Sequence, residues 1–134
     1  MALRYLLDTN ICIYIVKRRP EGVARRFEAL APGELGMSVV TFGELRYGAS
    51  KSRESAAALA RLDRLSELVM VLPLSREAGE RYGEIRALLE RQGTPIGNND
   101  LWIAAHALAS GLVLVTHDTA EFARVPGVHL EDWT

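Results

Sequence analysis

The chain has 134 residues, close to the size of one domain, and its 49% hydrophobic content can fill a core of that size. Sixteen Lys and Arg against 17 Asp and Glu leave a net charge of −1, which excludes a bulk positive field for nucleic acid and confines any such contact to local patches. The single cysteine, Cys12, excludes an internal disulfide and offers no metal-ligand spacing; with no apolar run of membrane-spanning or signal length, a soluble cytoplasmic protein is expected.

In chain order, RYLLD (4–8) predicts a buried strand, and TNICIYIVKRR after it predicts a helix with Thr9 or Asn10 at its N-cap. Pro20 and Gly22 break the chain before a second helix, about Val23 to Leu30. LGMSV (35–39) predicts a second strand, followed by a helix from about Thr41 to Ala49 that ends near Gly48. ESAAALARLDRLSEL carries leucines at 59, 62, 65 and 68, the stripe of an amphipathic helix. VMVLPL is a third strand, and Ser75 then caps a helix running to about Gln92, with Gly93 as its stop. GTPIGNNDLWIAAHALASG (93–111) begins as a loop and becomes a strongly apolar helix that Gly111 ends. LVLVTHD is a fourth strand, and a helical turn around Glu121 to Ala123 precedes a final strand in VHLED. There is no repeat, low-complexity segment or linker, so residues 1–134 are expected to form a single domain.

Strands alternating with helices argue for an α/β fold with a parallel sheet covered on both faces. Such sheets bind ligands beyond the carboxyl ends of their strands. That rule selects Asp8 after the first strand, Asp118 after the fourth, Glu44 in the helix after the second, and Asp100 in the first turn of its helix. The chain has five aspartates, and three of them fall in this set. Taken singly, each acid also fits a turn, a helix cap or a solvated helix face. Together on one rim they repel: two charges about 6 Å apart cost roughly 3 kcal/mol at an effective dielectric near 20, against the ~5–15 kcal/mol that holds a domain together. Such a rim must be partly protonated or metal-bound. Two divalent cations would neutralise four carboxylates, and oxygen-only ligands favour Mg²⁺ or Mn²⁺ over zinc.

YLLDTNICIYIVK, SVVTFGELRYG, PIGNNDLWIAAHALASGLVLVTHDTAEF and VPGVHLEDW closely resemble PIN-domain ribonucleases of the VapC toxin type, and the resemblance covers nearly the whole chain. It implies a PIN-like fold, a central mostly parallel sheet of about five strands flanked by helices, and a homodimer. It also implies Mg²⁺- or Mn²⁺-dependent hydrolysis of RNA, with products carrying 5′-phosphate and 3′-hydroxyl ends. Carried over by position, Asp8, Glu44 and Asp100 are its principal catalytic, metal-binding acids and Asp118 is auxiliary, where many members have Asn. Thr9 and Asn10 adjoin the site in sequence. The resemblance further implies an antitoxin whose helix lies in an apolar groove, which suits a first helix apolar all round from Ile11 to Val16. The alternatives are a stand-alone PIN nuclease and a degenerate module that acts through protein contacts alone.

Other side chains carry weaker signals. His106 fits a packed core position, His117 could line the site beside Asp118, and Arg46 is a candidate for phosphate contact or an ion pair. Trp102 and Trp133 fit packing better than base stacking. The loops GxxxxGK[ST] and GxGxxG are absent, and an aspartyl-phosphate mechanism would want a second acid where Asn10 stands.

Overall fold

The computed structural model describes residues 2–134. Five short strands form one sheet in the order β3-β2-β1-β4-β5, and every neighbouring pair is parallel. They are β1 Tyr5–Leu7, β2 Leu35–Ser38, β3 Met70–Leu72, β4 Val113–Val115 and β5 Leu130–Glu131. The expected mostly parallel sheet is thus wholly parallel. The helices are α1 Thr9–Lys17, α2 Glu21–Ala29, α3 Val39–Ser50, α4 Ser55–Leu68, α5 Arg76–Arg91, α6 Asn98–Ser110 and α7 Thr119–Phe122.

Alternation along the strands divides the core into two layers. Tyr5 and Leu7 of β1, with Leu35, Met37 and Val115, pack under α1 to α4. Leu6 and Leu114 face the other way, against α5, α6 and Phe122. A period of two explains why three consecutive apolar residues serve both faces. The stripe on α4 is used in part: Leu62 and Leu65 are buried, whereas Leu68 at the helix end stays exposed. Gly36 lets the Leu72 and Leu3 side chains close over β2: a Cβ there would lie 2.8 Å from Leu72 Cδ1, so a larger residue would make that side chain shift.

Several boundaries differ from the sequence expectation. Asp8, not Thr9 or Asn10, caps α1, its Oδ1 accepting the Ile11 N–H at 2.9 Å. Helix α3 starts at Val39 because Ser38 caps it, accepting from Val40 N, and it runs through Gly48 to Ser50. A 3-10 turn at Pro32–Glu34, which the sequence reading lacked, leads into β2. The cap at Ser75 and the left-handed Gly93 and Gly111 are where the sequence puts them. Among the described residues, no helix is long and apolar enough to cross a membrane.

Candidate active site

The sheet order reverses direction between β1 and β4, which opens a crevice at their carboxyl ends. Asp8 leaves β1 into this crevice and is 4% exposed. It is held by the Ile11 N–H and by the hydroxyl of buried Thr116, just past β4. Burial raises the Asp8 carboxyl above its ordinary value, the two hydrogen bonds oppose this, and the charges of Asp118 and Glu44 raise it further. Thr116 also accepts the backbone N–H of Asp118 at 2.9 Å, so one hydroxyl ties the first acid to the segment bearing the last.

Glu44 lies in the second turn of α3, half-buried, and its Oε1 accepts the Thr9 hydroxyl at 2.5 Å. The Thr9 hydroxyl is 3.3 Å from that of buried Thr41, linking α1 to α3 behind the site. Asp100 is in the first turn of α6, whose N-cap is Gly97, and its side chain makes no capping bond. The capping role considered for Asp100 is therefore not observed; its benefit from the helix reduces to the dipole. Its carboxyl is pushed up to about 7, first by burial and then by Glu121, Asp8, Glu44 and Asp118. Asp118 is exposed at the start of α7.

Thus the acids selected from sequence share one electrostatic neighbourhood. Glu121 joins them, with its Oε1 accepting the Gly97 N–H at 3.3 Å at the mouth of α6. The sequence reading missed Glu121 and Thr116; the only available signal was their closeness to Asp118. Among the described residues, none of these five carboxylates has an Arg, Lys or His partner within ion-pair distance. Nor, among the described residues, do three His, Cys, Asp or Glu side chains stand close enough to share one ion as they are oriented. An unpaired, partly buried group of hard oxygen donors nonetheless fits Mg²⁺ or Mn²⁺, because a divalent cation would offset both the burial and the mutual repulsion that raise Asp8 and Asp100.

The other candidates settle elsewhere. Arg46 pairs with Asp63 at 3.3 Å and lies over Phe42, a link between α3 and α4 rather than an acid-site contact. His117 turns to the chain end, its Nδ1 2.9 Å from Thr134 Oγ1 and 3.4 Å from Asp132. His106 is a buried core residue whose pKa is lowered by burial. Trp102 stacks on Tyr82 at 3.9 Å, and Trp133 meets Tyr5 edge-on at 5.3 Å. An apolar groove of about 650 Å³ runs between α1, α3 and α4, walled by Ile13, Val16, Leu45, Ala58 and Leu62 and also bounded by Thr9 and Glu44.

Comparison with known proteins agrees with this geometry. Ribonuclease VapC1 of Haemophilus influenzae strain R2866 is 44% identical over 131 residues, 97% of this chain and 98% of the relative. The tRNA(fMet)-specific endonuclease VapC of Shigella flexneri is 44% identical over 132 residues, 98% of this chain and 99% of its own. The crystal structure of DNA-bound VapBC from Salmonella typhimurium superposes with a TM-score of 0.92 at 41% identity, over 98% of this chain and 99% of that one. The PIN domain family matches residues 5–128, and with full-length relatives of this kind the chain belongs to the PIN-domain family, among the VapC ribonucleases.

Proposed function

We propose that this chain is an Mg²⁺- or Mn²⁺-dependent endoribonuclease toxin held inactive by a cognate antitoxin, with Asp8, Glu44, Asp100 and Asp118 as its catalytic, metal-holding residues. The observation that carries the reading is the crevice between β1 and β4, where these acids and Glu121 gather without a cationic partner among the described residues, and where burial, with the neighbouring carboxylates, raises Asp8 and Asp100. Asp8, Glu44, Asp100 and Asp118 would hold a divalent ion there, which would supply charge neutralisation at the scissile phosphate and a lowered pKa for the attacking water. The chain's own residues do the rest. Thr116 fixes Asp8 relative to Asp118, Thr9 orients Glu44, and the first turn of α6 presents Asp100.

The antitoxin reading is supported by the apolar groove, which shares Thr9 and Glu44 with the acid site. An amphipathic helix lying in it would anchor on Ile13, Val16 and Leu62, and a basic side chain carried by that helix could pair with the acids. The VapBC complexes among the structural relatives support the same partner. We place the activity in a single cytoplasmic domain, residues 1–134, acting as a homodimer. The exposed Leu68 and Met70 beside the free edge of β3 are apolar surface that a second copy would cover. Relatives named for tRNA(fMet) make the initiator transfer RNA the first substrate to try.

The test is cleavage of that RNA and of total RNA by purified protein, with end-group mapping. Chelation should stop cleavage, Mg²⁺ or Mn²⁺ should restore it, and the fragments should carry 5′-phosphate and 3′-hydroxyl ends. Fragments ending in 2′,3′-cyclic phosphate would remove the metal-assisted reading. Cleavage that persists when the cognate antitoxin is added at stoichiometric ratio would leave a stand-alone nuclease.

A further inference from the structure

A second groove, open and about 740 Å³, meets the acid site from the other side of α3. It shares Thr9, Glu44 and Gly48 with the apolar groove but diverges along different side chains. Its wall is one ridge of α3 at intervals of four, Val39, Gly43 and Tyr47, continued by the C-terminal cap Lys51, with Asn99 opposite from the first turn of α6. Tyr47 is 66% exposed, the largest exposure among the exposed large apolar side chains. The Lys51 ammonium stands 4.8 Å from its ring centroid and, among the described residues, has no carboxylate at ion-pair distance. Lys51 is one of only two lysines in the chain.

The floor of this groove is bare backbone. Gly43 and Gly48 lie inside α3, where glycine weakens a helix relative to alanine, yet a Cβ at either would meet nothing within 4 Å. No packing within the chain requires glycine at either position. An exposed aromatic face, an unpaired ammonium and an open backbone floor, all next to hard-oxygen acids, match the chemistry of one unpaired nucleotide: a base to stack, a phosphate to neutralise and a ribose that must come close.

We infer that this groove binds the single-stranded nucleotide next to the scissile phosphate, with its base on Tyr47 and its outer phosphate at Lys51. The inference rests on the nuclease reading above and adds which side of α3 takes RNA. Substrate and antitoxin then occupy opposite flanks of one helix and converge at Thr9, Glu44 and Gly48. Tyr47 and Lys51 are positioning residues and take no part in the bond change.

The test is steady-state cleavage of a fluorescent single-stranded RNA oligonucleotide by the full chain in Mg²⁺. Tyr47→Ala should raise KM about tenfold, the scale of one aromatic–base stack, with kcat within about twofold of wild type. Tyr47→Phe should restore KM, because the ring and not the hydroxyl is used. Lys51→Ala should raise KM and flatten its salt dependence, and Lys51→Arg should restore both. Gly43→Ala should melt higher yet raise KM, which a purely structural role would not do. If wild type cleaves but all the alanine variants keep its KM, this inference is overturned while the nuclease reading stands. If wild type does not cleave, the nuclease reading itself fails and takes this inference with it. If Tyr47→Ala instead converts a dimer to a monomer in sedimentation, and Tyr47→Phe restores the dimer, the surface belongs to a second copy and the inference is overturned.

Discussion

Replacing Asp100 with Asn should remove RNA cleavage and, in the absence of divalent ions, make the protein more stable. The carboxyl sits at about 7 in the folded chain against an ordinary value of 3.8. At about 1.4 kcal/mol per pH unit that gap amounts to roughly 4 kcal/mol. Asp100 is only half-buried, so solvent screening discounts the figure to about 1–2 kcal/mol. The sign follows from proton binding. Between about pH 4 and 7 the folded state keeps a proton that the unfolded chain has released, so stability contributed by this group falls as pH rises and is lost above 7. Asn is neutral throughout and escapes the penalty, while no side-chain cap is lost because Asp100 makes none. In chelator at pH 8, Asp100→Asn should therefore melt about 3–6 °C above wild type, and near pH 4 the two should coincide. Added Mg²⁺ should raise the wild-type Tm and raise the variant's less. Thermal melts in chelator across this pH range measure the effect directly. A variant that melts at or below wild type at pH 8 would refute the account of a strained acid rim.

On the groove between α1, α3 and α4, Val16→Asp should leave cleavage of free RNA within about twofold of wild type yet abolish suppression by the cognate antitoxin, read in a pull-down and a stoichiometric cleavage assay. Thr116→Val keeps the side-chain shape but removes both the bond to Asp8 and the acceptor for the Asp118 N–H, so it should cost about 1–3 kcal/mol in denaturant melts and slow kcat at least tenfold with little change in KM.

The parts of the fold legible in the sequence were those governed by local pattern. Runs such as YLL and VLV, short and bounded by helix starts and stops, suit strands covered on both faces, and Ser75, Gly93 and Gly111 mark helix ends by backbone chemistry that acts within a few residues. The start of α3 was less legible because Val39 and Val40 carry β-branched side chains that favour the strand, while the Ser38 cap overrides that preference. Likewise, DTN offers three consecutive capping residues, and only the path of the chain out of β1 selects Asp8. The meeting of Asp8, Glu44, Asp100 and Asp118 at one edge followed from the general rule for parallel sheets. The parts that could not be read were contacts between segments distant in sequence. Glu121 matters because α7 brings it to the Gly97 N–H, and Thr116 because its hydroxyl bridges β1 and β4; neither spacing announces this.

The order β3-β2-β1-β4-β5 also has a consequence for synthesis. The strand beside Asp8 is the fourth made, and the segment carrying Asp118 follows it, so a ribosome-bound chain holding the first three strands has β1 exposed along one edge and Leu6 without its Leu114 neighbour. Thr116, which fixes Asp8, has not yet been made. On the proposed site assignment the four acids are therefore not all present until Asp118 has been made, after β4. The faces of α1, α3 and α4 that wall the apolar groove are complete well before that point, at residue 68. The groove proposed for the antitoxin is thus synthesised before the last of the acids proposed for the site.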